Sequence, residues 1–270
     1  MIKHIAIIGL GMAVTPHAQS LLELGDRVEV AAGYSPTEAR RAAFVARWGF
    51  PVSADIDAIF ADRSIDAVMM LTPPNTHLEL TRRAAAAGKH VLLEKPLEIT
   101  LERSLALVDA ADAAGITLGV VLQHRFKPAS MAAAQLIGEG RLGELVCASA
   151  HIRNWRPQSY YDQPGRGTKA RDGGGVLVTQ AIHTLDVLVS LAGLPVEVSA
   201  YTATSPVHRM ETEDVAAAVV RYGNGAIGTT AATTTAFPGF PETVEIVGSK
   251  GTARLEGARL IADFHDGSRL

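Results

Sequence analysis

The sequence predicts an α/β protein in two parts: a doubly wound parallel sheet, then an α+β domain with a largely antiparallel open sheet. Short β-rich runs alternate with amphipathic stretches as far as about residue 122, and this alternation stops after Gln123. From Val196 onward nearly every segment has the composition of a strand, with glycine-containing turns between. We therefore predict domains at residues 1–122 and 123–270.

The first part shows five strand patterns separated by helical ones. Thr37–Arg47 places four alanines on one helix face at spacings of three and four. Asn75 is the predicted cap of another helix, which Gly88 closes. Strands buried on both faces and linked by helices indicate a parallel sheet with right-handed crossovers. The predicted strands are His4–Ile8, Arg27–Ala32, Ile65–Leu71, His90–Leu93 and Ile116–Leu122, and the predicted helices are Met12–Leu24, Thr37–Arg47, Asn75–Ala87 and Leu101–Ala114.

The second part begins with helices and ends in strands. Pro157–Arg171 is a polar segment containing glycine and proline, and we predict a loop there. A long helix from about Gly175 to Ala192 follows. The remaining predictions are a helix at Lys127–Ile137 and strands at Leu145–Asn154, Val196–Thr204, Asp214–Tyr222, Ala226–Thr235, Glu242–Val247 and Ala253–Leu255.

Composition excludes several classes of protein. Apolar residues make up 47% of the 270 residues, and Lys+Arg total 25 against 28 Asp+Glu, so the net charge is -3. A chain without basic excess is not expected to bind nucleic acid or an anionic membrane surface. The only cysteine, Cys147, cannot form an internal disulfide. The apolar N-terminal run is short and broken by two glycines, so we predict a cytoplasmic protein rather than a secreted one.

The first strand ends in a glycine pair. Gly9 permits a tight turn, and Gly11 lets the backbone approach a pyrophosphate at the start of a helix, with Met12 and Ala13 alongside. The third small residue of this fingerprint is replaced by Val14, and a structural turn without a nucleotide remains the alternative. We predict a Rossmann-type sheet that binds NAD or NADP.

The second strand lacks the acidic residue that binds the ribose of NAD. Ser35, Arg40 and Arg41 follow it instead, and hydroxyl and guanidinium groups suit a 2′-phosphate. The alternative places both arginines in solvent on the helix surface. The sequence gives a slight preference for NADP.

Polar residues also follow later strands, at the edge where such a sheet binds its ligands. Lys95, directly after an apolar strand, is placed to meet the reactive end of the cofactor; an ordinary exposed lysine is the alternative. The other predicted cofactor contacts in these segments are Thr72, Pro73, Asn75, His77, Glu94 and Gln123.

Together these features resemble the Gfo/Idh/MocA oxidoreductases, over essentially the whole chain. The resemblance is carried by the glycine turn, Thr72-Pro-Pro-Asn75, Glu94-Lys-Pro96, and Gly173-Gly-Gly followed by His183 and Asp186. Family members act with NAD or NADP, mostly on sugars, cyclitols and their derivatives. The resemblance implies that Lys95 and His183 meet the substrate hydroxyl. Relatives commonly continue well beyond the position of Leu270, so the sheet or its edge is expected to be short here.

The proposed chemistry is consistent with these residue types. Oxidation of a secondary alcohol needs a proton acceptor, and histidine titrates near neutral pH. Lys95 would stabilise the developing alkoxide, and Asp186 would steady the His183 ring. Thr179 stands where many relatives carry an acid, which is unlike the inositol dehydrogenase type. The segment from Gly173 to Asp186 resembles the branch that oxidises nucleotide-linked sugar acids. A satisfied histidine at the domain interface is the alternative for His183.

Basic and aromatic residues precede the glycine-rich helix. Arg156, Tyr160 and Lys169 are predicted substrate contacts, because guanidinium groups bind carboxylate or phosphate and rings stack on sugars. Arg125 is a further candidate, and bracing of the domain junction is its alternative. The sequence contains no metal-binding motif. A homodimer or homotetramer is expected through the open sheet, and a dinucleotide-sensing regulator without catalysis remains the alternative function.

Overall fold

A computed structural model describes residues 2–270 and divides the chain into two compact units. The first ends at Val121 and the second runs from Leu122 to Leu270. Each has its own sheet and its own buried core. The α/β class and both predicted sheet types are therefore confirmed.

The first unit is a six-stranded parallel sheet in the order β3-β2-β1-β4-β5-β6. Two of its elements, β3 and α3, were not predicted. β3 is only two residues long, and α3 is short and preceded by Asp55, whose carboxylate accepts hydrogen bonds from two backbone amides. The elements are β1 (Lys3–Ile8), α1 (Val14–Glu23), β2 (Val28–Tyr34), α2 (Glu38–Trp48), β3 (Val52–Ser53), α3 (Ile56–Ala61), β4 (Ala67–Met70), α4 (His77–Ala86), β5 (His90–Glu94), α5 (Leu101–Ala113) and β6 (Leu118–Val121).

Helix ends in this unit follow local chemistry, with one correction. Gly49 and Gly88 follow α2 and α4 with φ of 72° and 67°, a conformation that favours glycine. Asn75 is not the cap of α4, because Pro74–Thr76 form a 3₁₀ turn and the helix begins only at His77. The two prolines before Asn75 hold this tighter turn in place of a regular first helical turn.

Strand order reverses between β1 and β4, which are neighbours in the sheet. Gly9 follows β1 with φ of 106°, and a Cβ atom there would lie 2.9 Å from the Leu71 backbone. In doubly wound sheets, ligands bind at this point, outside the carboxyl ends of the strands. The first unit therefore places its glycine turn at the expected ligand-binding edge.

The second unit is a seven-stranded sheet in the order β13-β12-β11-β7-β10-β9-β8. Only β7 and β10 pair in parallel. Pro157–Arg171, predicted as a loop, includes two four-residue helices, and β13 was not predicted. The elements are α6 (Pro128–Gly138), β7 (Leu145–Arg153), α7 (Gln158–Tyr161), α8 (Lys169–Asp172), α9 (Ile182–Ala192), β8 (Glu197–Ala203), β9 (Val215–Arg221), β10 (Ile227–Thr233), β11 (Thr243–Gly248), β12 (Gly251–Glu256) and β13 (Arg259–Phe264).

Helices α6 and α9 pack with one face of this sheet in a common core. The side chains of Tyr201, Val219 and Ile227 remain exposed within the unit. One helical stretch, Lys169–Ala192, is long and apolar enough to cross a membrane by composition alone. Its buried residues lie in the core of the second unit.

Candidate active site

The glycine turn of the first unit has room for a ligand. A Cβ atom on Gly11 would meet nothing within 4 Å. A Cβ atom on Gly9 would lie 2.9 Å from the Leu71 backbone, so only glycine fits there. Met12 is exposed, Ala13 immediately precedes α1, and Val14 is buried in the core below. The turn therefore presents open backbone at the N-terminus of α1, where an anion is favoured.

The residue that follows β2, Ser35, is enclosed by hydrogen bonds from nearby residues of the chain. Ser35 is 1% exposed, and its hydroxyl oxygen accepts a hydrogen bond from the Thr37 amide at 3.2 Å. Arg41 donates to the Ser35 carbonyl at 2.6 Å. Arg40 is exposed on α2. This corrects the expected contact of Ser35: its hydroxyl is enclosed, and Arg40 is the predicted phosphate ligand that faces solvent.

The loop after β4 is tied to the loop after β5 by His77. This side chain, expected to contact the cofactor, is fully buried. Its Nε2 lies 3.0 Å from the Thr72 carbonyl, and its Nδ1 lies 3.2 Å from the carbonyls of Pro96 and Leu97. Burial lowers the pKa of His77. The hydrogen bonds to these carbonyls raise it, but by less than burial lowers it. His77 therefore joins two ligand-edge loops and has no surface for the cofactor itself.

The Thr72 hydroxyl oxygen accepts a hydrogen bond from Thr76 at 2.7 Å, which braces this loop from within. Pro73 and Asn75 are exposed, so they remain available to a cofactor. Arg103 donates to the Asn75 carbonyl at 3.3 Å and holds the loop from α5.

Glu94 and Lys95 form the turn at the carboxyl end of β5, and both are half-buried. His17 of α1 donates to Glu94 Oε1 at 2.8 Å, and the Lys95 amide donates to Oε2 at 3.0 Å. Burial alone would raise the pKa of Glu94, but the hydrogen bond from His17 and the charges of His17 and Lys95 hold it below its usual value. The carboxylate thus fixes the backbone from which Lys95 projects.

In the second unit, Glu213 holds the helix that carries His183. Its carboxylate accepts from the Gly175 amide at 2.9 Å and from the Leu177 amide at 3.2 Å. Its carbonyl accepts from the Val176 amide at 2.8 Å. A Cβ atom on Gly175 would lie 1.8 Å from that carbonyl oxygen, so only glycine allows this approach. The glycine run therefore serves packing, and the acid caps the helix start.

The first turn of this helix, Leu177–Ala181, is a π-helix, a distortion frequent at functional sites. Thr179 Oγ1 lies 2.6 Å from the Gly175 carbonyl and 2.5 Å from Gln180 Oε1. Gln180 Nε2 in turn lies 3.4 Å from the Tyr160 hydroxyl. Thr179 is thus linked through Gln180 to the aromatic loop.

His183 is half-buried on α9, and its ring centroid lies 4.7 Å from that of His124. His124 Nδ1 is 3.9 Å from Glu242 Oε2. Glu242 also accepts hydrogen bonds from the Thr184 hydroxyl and from Asn154, the latter at 3.2 Å. The Glu242 carboxylate, directly before β11, therefore contacts both the His124 ring and Thr184, the residue after His183.

Arg125 forms an ion pair with Asp186. Its Nε donates to Asp186 Oδ2 at 2.5 Å, and its Nη2 donates to Oδ1. These hydrogen bonds raise the pKa of Arg125. The guanidinium thus holds α9 through both Asp186 oxygens, while the Arg125 side chain stays 45% exposed. The substrate contact of Arg125 and the role of Asp186 on His183 stay predictions.

Two arginines flank Tyr160. The guanidinium carbons of Arg156 and Arg166 lie 5.5 Å and 4.8 Å from its ring centroid. The Arg166 Nε is buried and has no hydrogen-bond partner within residues 2–270. Lys169 is exposed, and its amide donates to Glu211 at 3.1 Å. A buried guanidinium donor of this kind suits an anionic oxygen.

Sequence reasoning missed four residues that shape the site: His17, His208, Glu213 and Glu242. The sequence signal for each was weak, because each makes a contact with a residue far away in the chain. Among the residues described, no group of three His, Cys, Asp or Glu side chains is arranged to hold a metal ion. Gln123 lies in the 3₁₀ turn that opens the second unit.

Comparison with known proteins identifies both units. Residues 3–122 match the oxidoreductase family model with an NAD-binding Rossmann fold, and residues 130–254 match the GFO/IDH/MocA C-terminal domain. An uncharacterized oxidoreductase of Schizosaccharomyces pombe, C115.03, is 31% identical over 229 residues, 80% of this chain and 60% of that protein. The chain thus spans about 60% of the length of the first curated relatives.

Solved structures match over a larger share. The WlbA dehydrogenase of Bordetella pertussis, in complex with NADH and UDP-GlcNAcA, is 30% identical with a TM-score of 0.93, covering 99% of this chain and 78% of that one. Levoglucosan dehydrogenase, in complex with NADH and levoglucosan, is 27% identical with a TM-score of 0.92, covering 99% and 78%. The matched models and these relatives place the chain in the Gfo/Idh/MocA family.

Proposed function

We propose that this protein is an NAD(P)-dependent dehydrogenase or reductase acting on a secondary hydroxyl or ketone of a sugar, cyclitol or sugar derivative. The observation that carries the proposal is Lys95 at the carboxyl end of β5, held by Glu94 on the ligand-binding edge of the first unit. Family membership and relatives bound to NADH with sugar-like molecules support the same reading.

Lys95 and His183 are the proposed catalytic residues. His183 accepts the hydroxyl proton as the alcohol is oxidised, and the Lys95 ammonium stabilises the alkoxide that develops. Thr179, one helical turn before His183, is a neutral hydrogen-bonding group for the substrate. The helix that carries both is held by Glu213 and Gly175, so their positions are fixed before substrate binds.

The residues of the first unit fit a dinucleotide. The open backbone at Gly11 leaves space for a pyrophosphate, and α1 begins directly behind it. Residues Gly9, Met12, Ala13, Thr72, Pro73, Asn75 and Glu94 would hold the cofactor, with Gln123 as a further contact. When bound, the nicotinamide supplies the acceptor or donor of hydride. The slight preference for NADP now rests on Arg40, because Ser35 is enclosed.

An anionic group on the substrate is the finer part of the proposal. Arg156 and Arg166 flank Tyr160, and the Arg166 Nε has no partner in the described chain. Arg156, Tyr160 and Lys169 are the proposed substrate contacts, and a carboxylate or phosphate would satisfy the guanidinium groups. Because WlbA binds UDP-GlcNAcA, nucleotide-linked sugar acids are the first substrates to test.

The test is turnover with either cofactor on a panel including UDP-GlcNAcA, levoglucosan, inositol and glucuronate. Lys95→Ala and His183→Ala should each lower kcat about 10²–10⁴-fold while dinucleotide affinity is kept. Lys250→Ala and His265→Ala, both at exposed positions, are the matched controls. Wild-type turnover by His183→Ala would make that histidine structural. Dinucleotide binding with no turnover on any substrate would identify a sensor instead.

Self-association completes the proposal. Tyr201, Val219 and Ile227 leave an apolar strip on the open face of the second sheet, and such a strip is typical of an interface between copies. We expect a homodimer or homotetramer in the cytoplasm, with no nucleic-acid or membrane partner. Sedimentation of the wild-type protein at micromolar concentration should show an oligomer, and Ile227→Asp should dissociate it. A monomeric wild type would contradict the expected self-association.

A further inference from the structure

The segment between β8 and β9 contains a buried pair of titratable side chains outside the proposed catalytic residues. The side chains of His208 and Asp214 are both 0% exposed, and His208 Nδ1 lies 2.7 Å from Asp214 Oδ2. Asp214 also accepts from the Ser205 amide at Oδ1 and from the Ser205 hydroxyl at Oδ2, each at 2.7 Å. The carboxylate is therefore fully engaged inside the second unit.

The other nitrogen of His208 reaches the substrate loop. Nε2 lies 2.8 Å from the carbonyl oxygen of Arg156. On the other side of the same residue, the Arg156 amide donates to the Thr234 carbonyl at 2.9 Å. Both backbone polar groups of Arg156 are thus held, the amide by the residue after β10 and the carbonyl by the buried imidazole.

The surroundings of His208 fix its ring. The Tyr161 ring centroid lies 4.7 Å away, and the Tyr161 hydroxyl lies 2.9 Å from Thr234 Oγ1. Burial raises the pKa of Tyr161, so this ring stays neutral at physiological pH. His208 makes hydrogen bonds or ring contacts with three titratable or charged residues, Asp214, Tyr161 and Arg156, and Arg209 follows it in the chain.

The hydrogen-bond partners define how many protons the pair holds. A backbone carbonyl can only accept, so Nε2 must carry a hydrogen to bind Arg156. A second proton must lie between Nδ1 and the Asp214 carboxylate, because two lone pairs would otherwise face each other. A neutral imidazole beside an ionised Asp214 satisfies only one of these two contacts. An unmade buried hydrogen bond is costly, and both contacts are made only when the pair holds two protons.

We propose that this buried pair is a positioning device for substrate recognition: a doubly protonated His208, balanced by Asp214, holds the Arg156 backbone so that its guanidinium stays beside Tyr160. The effect on substrate rests on the proposed function, whereas the protonation and the clamp on the loop do not. His208 and Asp214 are positioning residues and touch no reacting atom.

The first test needs no substrate. Nitrogen NMR of the full-length protein at pH 7, with His208 assigned by its loss in His208→Phe, should show a proton on both ring nitrogens. One unprotonated ring nitrogen at pH 7 would overturn the proposal. If His208→Phe does not fold, His208→Gln provides the assignment.

The second test measures the loop itself. Hydrogen exchange of the peptide spanning residues 155–161 should be at least about 10-fold faster in His208→Phe, since a charge-assisted hydrogen bond to the loop is lost. His265→Phe, a substitution at an exposed position of the same unit, should leave it unchanged. Equal exchange in wild type and His208→Phe would overturn the clamp.

The third test is a double-mutant cycle with UDP-GlcNAcA as substrate. His208→Phe should raise KM about 10-fold and leave kcat within about twofold, with His208→Gln intermediate because its amide can still donate. In an Arg156→Ala background, His208→Phe should add nothing. A further rise in KM there, or a loss confined to kcat, would show that His208 does not act through Arg156.

Failure of the proposed function is distinguishable from failure of this inference. If UDP-GlcNAcA is not turned over, or if Arg156→Ala leaves its KM unchanged, the anionic substrate is wrong. The NMR and exchange measurements then still decide whether His208 and Asp214 hold the loop.

Discussion

The glycine turn of the first unit and the glycine run of the second use the same residue for opposite reasons. At Gly11 an added Cβ would meet nothing within 4 Å, whereas at Gly175 it would lie 1.8 Å from a backbone oxygen of Glu213. Gly11 therefore keeps space for a ligand, and Gly175 keeps space for the protein's own chain. Identical residues at two sites thus carry a binding role in one and a packing role in the other.

The largest effect on stability is expected at Gly175. Gly175→Ala forces the helix start away from Glu213 and breaks the hydrogen bonds that Glu213 accepts, at a cost of about 3 kcal/mol or more. Calorimetry should show Tm lower by about 6–12 °C for a protein of this size. Gly138→Ala, where a Cβ has open space, is the control. An unchanged Tm would contradict the close approach.

At Gly11 the expected effect is on binding. Gly11→Val should weaken dinucleotide affinity about 10–100-fold, because the side chain occupies the space of the pyrophosphate. Tm without cofactor should stay within about 2 °C of wild type, since no protein atom is displaced. Gly138→Val should affect neither quantity. Titration followed by fluorescence checks the prediction, and wild-type affinity in Gly11→Val would remove the cofactor from this turn.

The preference between NADP and NAD should depend on Arg40 in the first unit, with a smaller effect on affinity than the change at Gly11. Arg40→Ala should weaken NADP binding about 10-fold and leave NAD binding unchanged, because only NADP carries the 2′-phosphate. Arg47→Ala, on an exposed position of the same helix, is the matched control. Parallel titrations with both cofactors decide it. A wild-type enzyme that clearly prefers NAD would refute the preference for NADP.

Acid should weaken the first unit through carboxylates that are held ionised. Burial opposes ionisation of Glu98, but hydrogen bonds from Arg103 and the Ile99 and Leu78 amides, with the charge of Arg103, lower its pKa. The pKa of Glu94 is lowered as well. A carboxyl group whose pKa is lower in the folded state stabilises the protein at pH values above its unfolded-state pKa. This stabilisation is lost as the pH falls through the folded-state pKa.

The free energy of unfolding should therefore decrease as pH is lowered below about 4.5, the ordinary glutamate value. Glu98→Gln should make that decrease shallower, whereas Glu102→Gln, at an exposed position, should not. Urea unfolding between pH 3 and pH 6 measures the slope. Equal slopes in wild type and Glu98→Gln would assign the acid sensitivity to other groups.

The sequence by itself determined the parallel sheet, the glycine turn and the position of Lys95. These follow from local patterns: the alternation of buried strands with helices, and a glycine at the turn after β1, where φ is positive. Because parallel strands place their carboxyl ends on one edge, residues that follow such strands share that edge without further information.

Tertiary structure alone decided which of these polar residues face a ligand and which serve the fold. His77 and Ser35 follow strands as Lys95 does, yet both are enclosed. Arg125 pairs with Asp186, and Arg156 is held by His208, a residue 52 positions away. Local periodicity carries no signal for such contacts, because they form only where separate loops pack together and each buried polar group must find a partner.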